Sequence, residues 1–229
     1  MQSSSAPQER QEFIRPAESV EQLLDGEPFV LINGKQLLFR SKDGFGVAAI
    51  SPGADYTEED YLRLPEGAPF QLVDGKLVYM PSPKDLHQLA VLNISLALAG
   101  FVKHHKLGIV RTAPLDVHLD RQNIYQPDIL YISNERRDIL RDWVFGAPDL
   151  VVEIMSAGTA ALDRTKKKKQ YGKYGVREYW LVSTDRRTVE VFENQDGKMR
   201  TTAFFSAGAT LTTSLLPGFE LAIQHIFEE

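Results

Sequence analysis

One long stretch of helical periodicity, followed by a series of short apolar runs, most constrains what this chain can fold into. Between residues 85 and 103 the apolar side chains recur at helical spacing, at Leu86, Leu89, Ala90, Ile94, Ala97, Leu98 and Phe101. This spacing predicts an amphipathic helix. The later runs, at residues 109–111, 115–117, 129–132, 150–154, 178–182 and 188–192, have the length and composition of β-strands. A second helix is predicted at residues 163–174, and this order predicts an α/β fold with a mixed central β-sheet flanked by helices.

Two hairpins are predicted before the long helix. Residues 29–32 and 36–39 flank Asn33-Gly34, and residues 70–73 and 77–80 flank Asp74-Gly75. Both dipeptides favour the two-residue turns of β-hairpins. Between the hairpins, Thr57 and Asp60 form a capping pattern that predicts the start of a short helix.

These elements divide the chain into three parts. Residues 1–17 are polar and predict a disordered tail. Residues 18–54 form an N-terminal extension with the first β-hairpin, and residues 55–229 form the main domain. A chain of 229 residues has room for one well-buried domain with such an appendage.

Composition excludes several classes of protein. The absence of cysteine excludes disulfides, thiolate zinc sites and a cysteine nucleophile. A net charge of −5 argues mildly against a general nucleic-acid coat protein, but it is compatible with an enzyme that gathers carboxylates around a metal. No apolar run approaches the roughly 20 residues needed to span a bilayer, and the N-terminus lacks the features of a signal peptide. We therefore expect a cytoplasmic protein with no membrane association.

Two acidic residues lie next to predicted strands. Asp128 follows Pro127 directly before the run 129–132, and Glu153 lies near the end of the run 150–154. If these strands pair, both carboxylates project at one end of the sheet, where they suit Mg²⁺, which prefers oxygen ligands. A carboxylate in so apolar a run needs a metal or a charged partner to offset its desolvation. The residues alone leave two interpretations open: a metal site, or a strand cap and a salt bridge.

A second Pro-Asp pair, Pro148-Asp149, competes with Asp128. Asp149 lies four residues before Glu153 on the same face of the predicted strand, roughly 13 Å away at the usual rise per residue. That separation is too large for one shared metal, so we interpret Asp149 as structural. We interpret His104 and His105 in the same way, because imidazole rings at a helix C-terminus can satisfy its last carbonyl groups.

The second predicted helix contains four consecutive lysines. Asp163, Lys167, Tyr171 and Tyr174 follow one another at intervals of four, four and three residues, and therefore share one helix face. The other lysines, Lys166, Lys168 and Lys169, project elsewhere. Because Lys167 shares its face with an acid and two aromatic rings, we expect that face to pack against the sheet.

These segments together resemble the Uma-two family of restriction endonucleases, a bacterial branch of the PD-(D/E)XK nuclease superfamily. The resemblance is carried by Gln126-Pro127-Asp128, by residues 147–156, by Asp163, Lys167 and Tyr171, and by residues 175–182. Residues 56–61 and 72–75 and His87-Gln88 fit the same family. The resemblance extends from about residue 55 to the C-terminus, and the order and spacing of these motifs make it specific.

The resemblance implies a restriction-endonuclease-like core in which Asp128 and Glu153 are a metal-binding acid pair for Mg²⁺ or Mn²⁺. The superfamily's lysine usually stands two residues after the glutamate, where this chain has Met155. The family resembles one in which the lysine lies on the following helix instead. This implies that Lys167 is the third catalytic residue. Its ammonium would orient the attacking water or stabilise charge on the phosphate.

The same resemblance implies supporting residues around this site. Gln71 stands where the family usually has a glutamate, so it offers a carbonyl oxygen to a metal but no negative charge. His87 and Tyr171 are expected to line the site, and Lys166 and Lys169 to contact DNA phosphates.

The implied function is a Mg²⁺-dependent DNA endonuclease, expected as a homodimer because two sites cut two strands most simply. An alternative is a catalytically weakened nuclease-fold module that binds nucleic acid or protein. The glutamine at position 71, the methionine at position 155 and the acidic pI favour this alternative. A third candidate is a metal-dependent phosphodiesterase that acts on a substrate other than DNA.

Overall fold

The computed structural model of the protein describes residues 14–16, 29–32, 36–41, 44–49, 55–64, 67–80, 82–155 and 162–229. The first four ranges are strands: β1 (Ile14–Pro16), β2 (Phe29–Ile32), β3 (Gln36–Ser41) and β4 (Gly44–Ala49). They form a four-stranded sheet in the order β1-β4-β3-β2.

The antiparallel pairing of β2 with β3 confirms the predicted N-terminal hairpin. Its Asn33-Gly34 turn lies outside the described residues, as do residues 1–13 and 17 of the tail for which the sequence predicts disorder. The remaining residues of that tail form β1.

The part of the chain that begins at residue 55 opens with a short helix, a hairpin and the long helix. Its elements up to residue 133 are α1 (Glu58–Leu62), β5 (Phe70–Val73), β6 (Lys76–Tyr79), α2 (Asp85–His104), β7 (Gly108–Thr112), β8 (Val117–Asp120), β9 (Asn123–Tyr125) and β10 (Ile129–Ser133). The backbone N–H of Thr57 donates to Asp60 Oδ2 at 2.9 Å, which confirms the predicted cap of α1. Asp74 and Gly75 both have positive φ, at 49° and 72°, as the two-residue turn of the β5–β6 hairpin requires.

The second half contains the lysine-rich helix and the C-terminal strands. Its elements are a 3-10 helix (Asn134–Ile139), β11 (Val144–Phe145), β12 (Leu150–Met155), a π-helical turn (Asp163–Lys167), α3 (Lys168–Tyr174), β13 (Glu178–Ser183), β14 (Thr188–Gln195), β15 (Lys198–Phe205), β16 (Thr210–Thr212), β17 (Glu220–Ala222) and α4 (Ile223–Ile226). Gly175 ends α3 with a φ of 91°, a left-handed conformation that glycine adopts without strain.

A six-stranded sheet in the order β15-β14-β13-β12-β10-β7 forms the centre of the fold. Strands β12 and β13 pair in parallel, whereas β10 pairs with β12 and β13 with β14 in antiparallel orientation. The sheet is therefore mixed, as the sequence predicts. A five-stranded sheet, β11-β8-β9-β5-β6, and the hairpin of β16 and β17 complete the domain.

The two faces of the central sheet bury different layers. On one face Ile94 and Leu98 of α2 pack with Val152 and Trp180. On the other face Val151 and Tyr179 pack with Tyr171 of α3 and with residues of the five-stranded sheet. Alternation along β12 places Glu153 on the same face as Val151, toward α3.

Helix α2 alone among the described helices is long and apolar enough to cross a membrane by length and composition. Polar residues such as Gln88 and Asn93 interrupt its apolar side chains, so it is not an uninterrupted apolar run of that length. One stripe of α2, which contains Ala90, Ile94, Leu98 and Val102, is buried against the central sheet. That packing is typical of the core helix of an α/β domain.

Several local features differ from the sequence prediction. Strand β8 begins at Val117, the last residue of the predicted run, and β9 was not predicted. The lysine-rich helix begins with a π-helical turn rather than an α-helical one. A three-residue strand such as β9 is too short to show a periodic pattern, so the sequence alone does not predict it.

Candidate active site

Glu153 is a carboxylate buried in the middle of the fold. It lies on β12 with 4% of its surface exposed. Lys167 Nζ donates to Glu153 Oε1 at 3.0 Å, and the Tyr171 hydroxyl donates to the same oxygen at 2.7 Å. Both donors come from the turn and helix that follow β12 in the chain, so the lysine-rich segment folds back over the sheet.

Asp128 lies beside Glu153 because of the register of their strands. Ile129 pairs with Val152 in the antiparallel ladder of β10 and β12, so the next position places Asp128 opposite Glu153. The backbone N–H of Ile154 donates to Asp128 Oδ2 at 2.7 Å, which fixes the carboxylate at this end of the sheet. His87 Nε2, from the first turns of α2, lies 3.4 Å from the same oxygen.

Lys167 is fully buried between two carboxylates. Its side chain has no exposed surface, and its Nζ lies 3.0 Å from Glu153 Oε1 and 3.3 Å from Asp163 Oδ1. A buried ammonium needs such partners, because desolvation without them is costly.

Burial and charge shift the pKa values of these groups in defined directions. Burial raises the pKa of Glu153, and the neighbouring Lys167 ammonium opposes that shift. For Lys167 burial alone lowers the pKa, but the charges of Glu153 and Asp163 outweigh it and the pKa rises. For His87 burial also lowers the pKa, but the contact with Asp128 outweighs it and the pKa is raised.

Gln71 has a buried amide oxygen without a hydrogen bond, and its amide nitrogen contacts the segment that leads to Asp128. It lies on β5 and is 1% exposed. Its Nε2 donates to the carbonyl oxygen of Gln126 at 3.3 Å, two residues before Asp128. Its Oε1 is buried and accepts no hydrogen bond within the described part of the chain. An unpaired buried carbonyl costs free energy unless a ligand satisfies it.

Residues 58–224 match the model of the Uma2 (Uma-two) family, described as "Putative restriction endonuclease". The chain belongs to the Uma2 family. A solved structure from Anabaena variabilis ATCC 29413, described as a putative nuclease belonging to DUF820, has the same fold with a TM-score of 0.64. It is 23% identical, and the match covers 75% of this chain and 97% of that one. No curated protein matches the sequence.

The Uma2 chain brings most of the predicted site residues together. Asp128, Glu153 and Lys167 meet at one end of β10 and β12, with Tyr171 bonded to Glu153 and His87 beside Asp128. Membership of the family assigns the chain to a group of nucleases with a restriction-endonuclease-like fold. The catalytic role of each residue stays a prediction.

Other predicted residues lie away from this cluster. Lys166 and Lys169 are exposed on the outer side of the turn and of α3. Asp149 is fully buried, accepts from the backbone N–H of Ser133 at 2.7 Å and lies 3.3 Å from Arg177 Nη1. These contacts tie Asp149 to the backbone of Ser133 and to Arg177, as expected of a structural residue. His105 caps α2 and packs on Phe101, with 4.4 Å between the ring centroids.

The sequence-based list of site residues omits Asp163, although the structure places it in the cluster. It is 1% exposed and contacts Lys167. Its signal was present in the sequence, because it stands four residues before Lys167 on the same helix face. The sequence analysis placed Asp163 on the face that packs against the sheet but gave it no role in the site.

Restriction-endonuclease-like nucleases generally use a divalent metal, and the residues at this site fit one. Mg²⁺ and Mn²⁺ take oxygen ligands, often one or two carboxylates with water and substrate phosphate. Asp128 and Glu153 provide two carboxylates, and Gln71, whose Oε1 is unsatisfied, contacts the segment that precedes Asp128. No group of three or more His, Asp or Glu side chains with the geometry of a metal site occurs within the described ranges. The fit is therefore to a two-carboxylate site that leaves ligand positions for water and substrate.

Proposed function

We propose that this protein is a Mg²⁺- or Mn²⁺-dependent DNA endonuclease that hydrolyses phosphodiester bonds at the Asp128–Glu153–Lys167 cluster. The observation that carries the proposal is the burial of Lys167 against Glu153, beside Asp128, at one end of two paired strands. An acid pair and a lysine in one place supply the charges that phosphodiester hydrolysis needs.

Asp128 and Glu153 would hold the metal, with Gln71 Oε1 as a third oxygen. A bound metal ion would neutralise charge on the phosphate and lower the pKa of a water molecule. The hydrogen bonds from Lys167 and Tyr171 both end on Glu153 Oε1, so they orient the carboxylate and leave Oε2 for other contacts. The hydrogen bond from Ile154 to Asp128 holds the second carboxylate in the same way.

Lys167 would act on the substrate directly. Its ammonium has three N–H donors, one of which donates to Glu153, while Asp163 is an ion-pair partner 3.3 Å from Nζ. The proposal assigns a remaining donor to a phosphate oxygen or to the attacking water. Preorganised charge of this kind is typically a large contribution to catalysis.

DNA binding would involve the exposed lysines on the same helix. Lys166 and Lys169 are exposed and neighbour Lys167 in sequence. Such residues contact DNA phosphates independently of the DNA sequence, and these contacts weaken as the salt concentration rises. The proposal includes a homodimer that brings two sites to the two strands, and the cytoplasm as the compartment in which DNA is met.

Incubation of supercoiled plasmid with the purified protein tests this function. We expect nicked and then linear plasmid in Mg²⁺ or Mn²⁺, and none in EDTA or in Ca²⁺ alone. Uncut plasmid at all metal concentrations would contradict the proposal.

A second candidate function rests on Gln71. A neutral amide in place of an acid leaves the site one negative charge short, as expected of a nuclease fold that has kept binding and lost catalysis. Calorimetric titration with Mg²⁺ and Mn²⁺ separates the two, since a module of this kind binds DNA without binding metal.

A further inference from the structure

The segment that carries Lys167 opens with an unusual backbone. Asp163–Lys167 is a π-helical turn, which continues directly into α3. π-helical turns within helices are rare, and many of those that are known lie at functional sites. Both ends of this turn are buried ionisable residues of opposite charge, with Asp163 1% and Lys167 0% exposed.

The turn places the Lys167 ammonium between two acids on different elements. Glu153 approaches it from β12, and Asp163 approaches it from the start of the same turn. A lysine side chain has four flexible bonds, and holding it in one rotamer costs conformational entropy. One carboxylate fixes the distance of the ammonium, whereas two from different directions also fix its orientation.

The two carboxylate contacts matter because Lys167 lies on a different segment from Glu153. A lysine at position 155 would be directed by the strand itself, two residues from Glu153 and on the same face. Lys167 instead reaches the site from the next segment, 14 residues from Glu153. Its direction therefore depends on contacts that the strand does not supply.

We infer that Asp163 is a positioning residue that orients the Lys167 ammonium toward the reacting phosphate. The inference rests on the proposed nuclease function and assigns Asp163 a part in it that acts only through Lys167. Asp163 contacts neither metal nor substrate in this role.

Asp163→Asn tests the inference, because asparagine has the same shape and lacks the charge. We expect kcat for plasmid nicking to fall about tenfold, the scale of one lost electrostatic contact, with KM changed less than about twofold. The matched control is Glu190→Gln. It removes the carboxylate of an exposed ion pair with Arg164 in the same π-helical turn, 3.0 Å across, and should leave both constants unchanged.

A double-mutant cycle separates positioning from a merely structural role. If Asp163 acts through Lys167, Asp163→Asn added to Lys167→Met causes no further loss of kcat. Single-turnover assays with enzyme in excess keep the slow variants measurable. An equal further loss in the double variant would show that Asp163 acts independently and would overturn the inference. Parental kcat in Asp163→Asn would overturn it as well.

The same cycle distinguishes this inference from the function on which it rests. Parental activity in Lys167→Met refutes the catalytic role of the lysine, whereas an inactive Lys167→Met beside a fully active Asp163→Asn refutes the positioning role alone. If Asp163→Asn does not fold, Asp163→Glu takes its place, because it keeps the charge on a longer side chain. Positioning predicts a reduced kcat in a folded Asp163→Glu protein, and a parental kcat there overturns the inference.

Discussion

Lys167 Nζ lies 3.0 Å from Glu153 Oε1, although the two residues are separated by 14 positions along the chain. Glu153 comes from a buried strand of the central sheet and Lys167 from the turn that packs over it. This contact joins the two segments that the site needs, and it gives a buried carboxylate the charged partner that its apolar strand lacks.

The four consecutive lysines should separate into one catalytic and several binding residues. Lys167→Met should reduce kcat by at least about tenfold, since it removes a charge from the reacting centre. Lys166→Met and Lys169→Met should instead weaken DNA binding and flatten its dependence on salt, because each removes one exposed phosphate contact. Plasmid nicking and DNA binding measured at several salt concentrations check both effects. Equal losses at all three positions would reduce the lysines to a non-specific phosphate patch.

Gln71→Glu should restore a negative charge beside the proposed metal ligands. The Oε1 of Gln71 is buried without a hydrogen bond, so a carboxylate there gains a metal contact, which offsets the loss of the hydrogen bond from Nε2 to Gln126. We expect tighter binding of Mg²⁺ and Mn²⁺ in calorimetric titrations, and faster cleavage at limiting metal. The gain in cleavage should shrink at saturating metal, where both proteins are fully loaded. Equal metal affinity in the two proteins would place position 71 outside the site.

Asp149→Asn is a matched test of the second Pro-Asp pair. Asp149 is buried with the backbone of Ser133 and with Arg177, away from Lys167. Loss of its charge should lower the free energy of unfolding by about 1–3 kcal/mol, the scale of a buried hydrogen bond to a charged group. Cleavage per folded molecule should not change. A loss of kcat in a stable Asp149→Asn protein would show that the competing acid had been wrongly set aside.

Glu178 gives the domain a predictable dependence on pH outside the proposed site. Burial raises its pKa above the ordinary value of 4.5, although the hydrogen bonds from Thr213 and Trp180 oppose that shift. Between 4.5 and the raised value the native state keeps a proton that the unfolded chain has released. The free energy of unfolding therefore falls as pH rises through this window.

Glu178→Gln removes that titration. Denaturant unfolding of both proteins from pH 4 to pH 7 should show a shallower decline in the variant. Parallel curves would mean that Glu178 has the same proton affinity in the folded and unfolded states.

Periodic and local patterns made much of the fold predictable. The apolar stripe of α2, the Asp-Gly turn between β5 and β6, and Gly175 at the end of α3 each follow from a few neighbouring residues. The sequence predicts that Asp128 lies beside Glu153 only if β10 pairs with β12, and that pairing could not itself be predicted.

Features that depend on contacts between distant segments could not be predicted in the same way. His87 contacts Asp128 because the N-terminal turns of α2 lie at the end of the sheet. No local sequence pattern predicts that position. The π-helical turn leaves no periodic signal in five residues, so the burial of Asp163 beside Lys167 emerged only with the packing.

The most direct test of the account is metal-dependent nicking of supercoiled plasmid by the parental protein and by its Asp128→Asn and Glu153→Gln variants. Both substitutions keep the side-chain shape and remove one charge from the proposed metal pair, and circular dichroism verifies that each variant is folded. We expect nicking by the parental protein in Mg²⁺ or Mn²⁺, and a loss of at least about a hundredfold in each variant, as expected when an essential charged group of the centre is lost. Cleavage at the parental rate by either folded variant would contradict the central claim that Asp128 and Glu153 form the catalytic metal site.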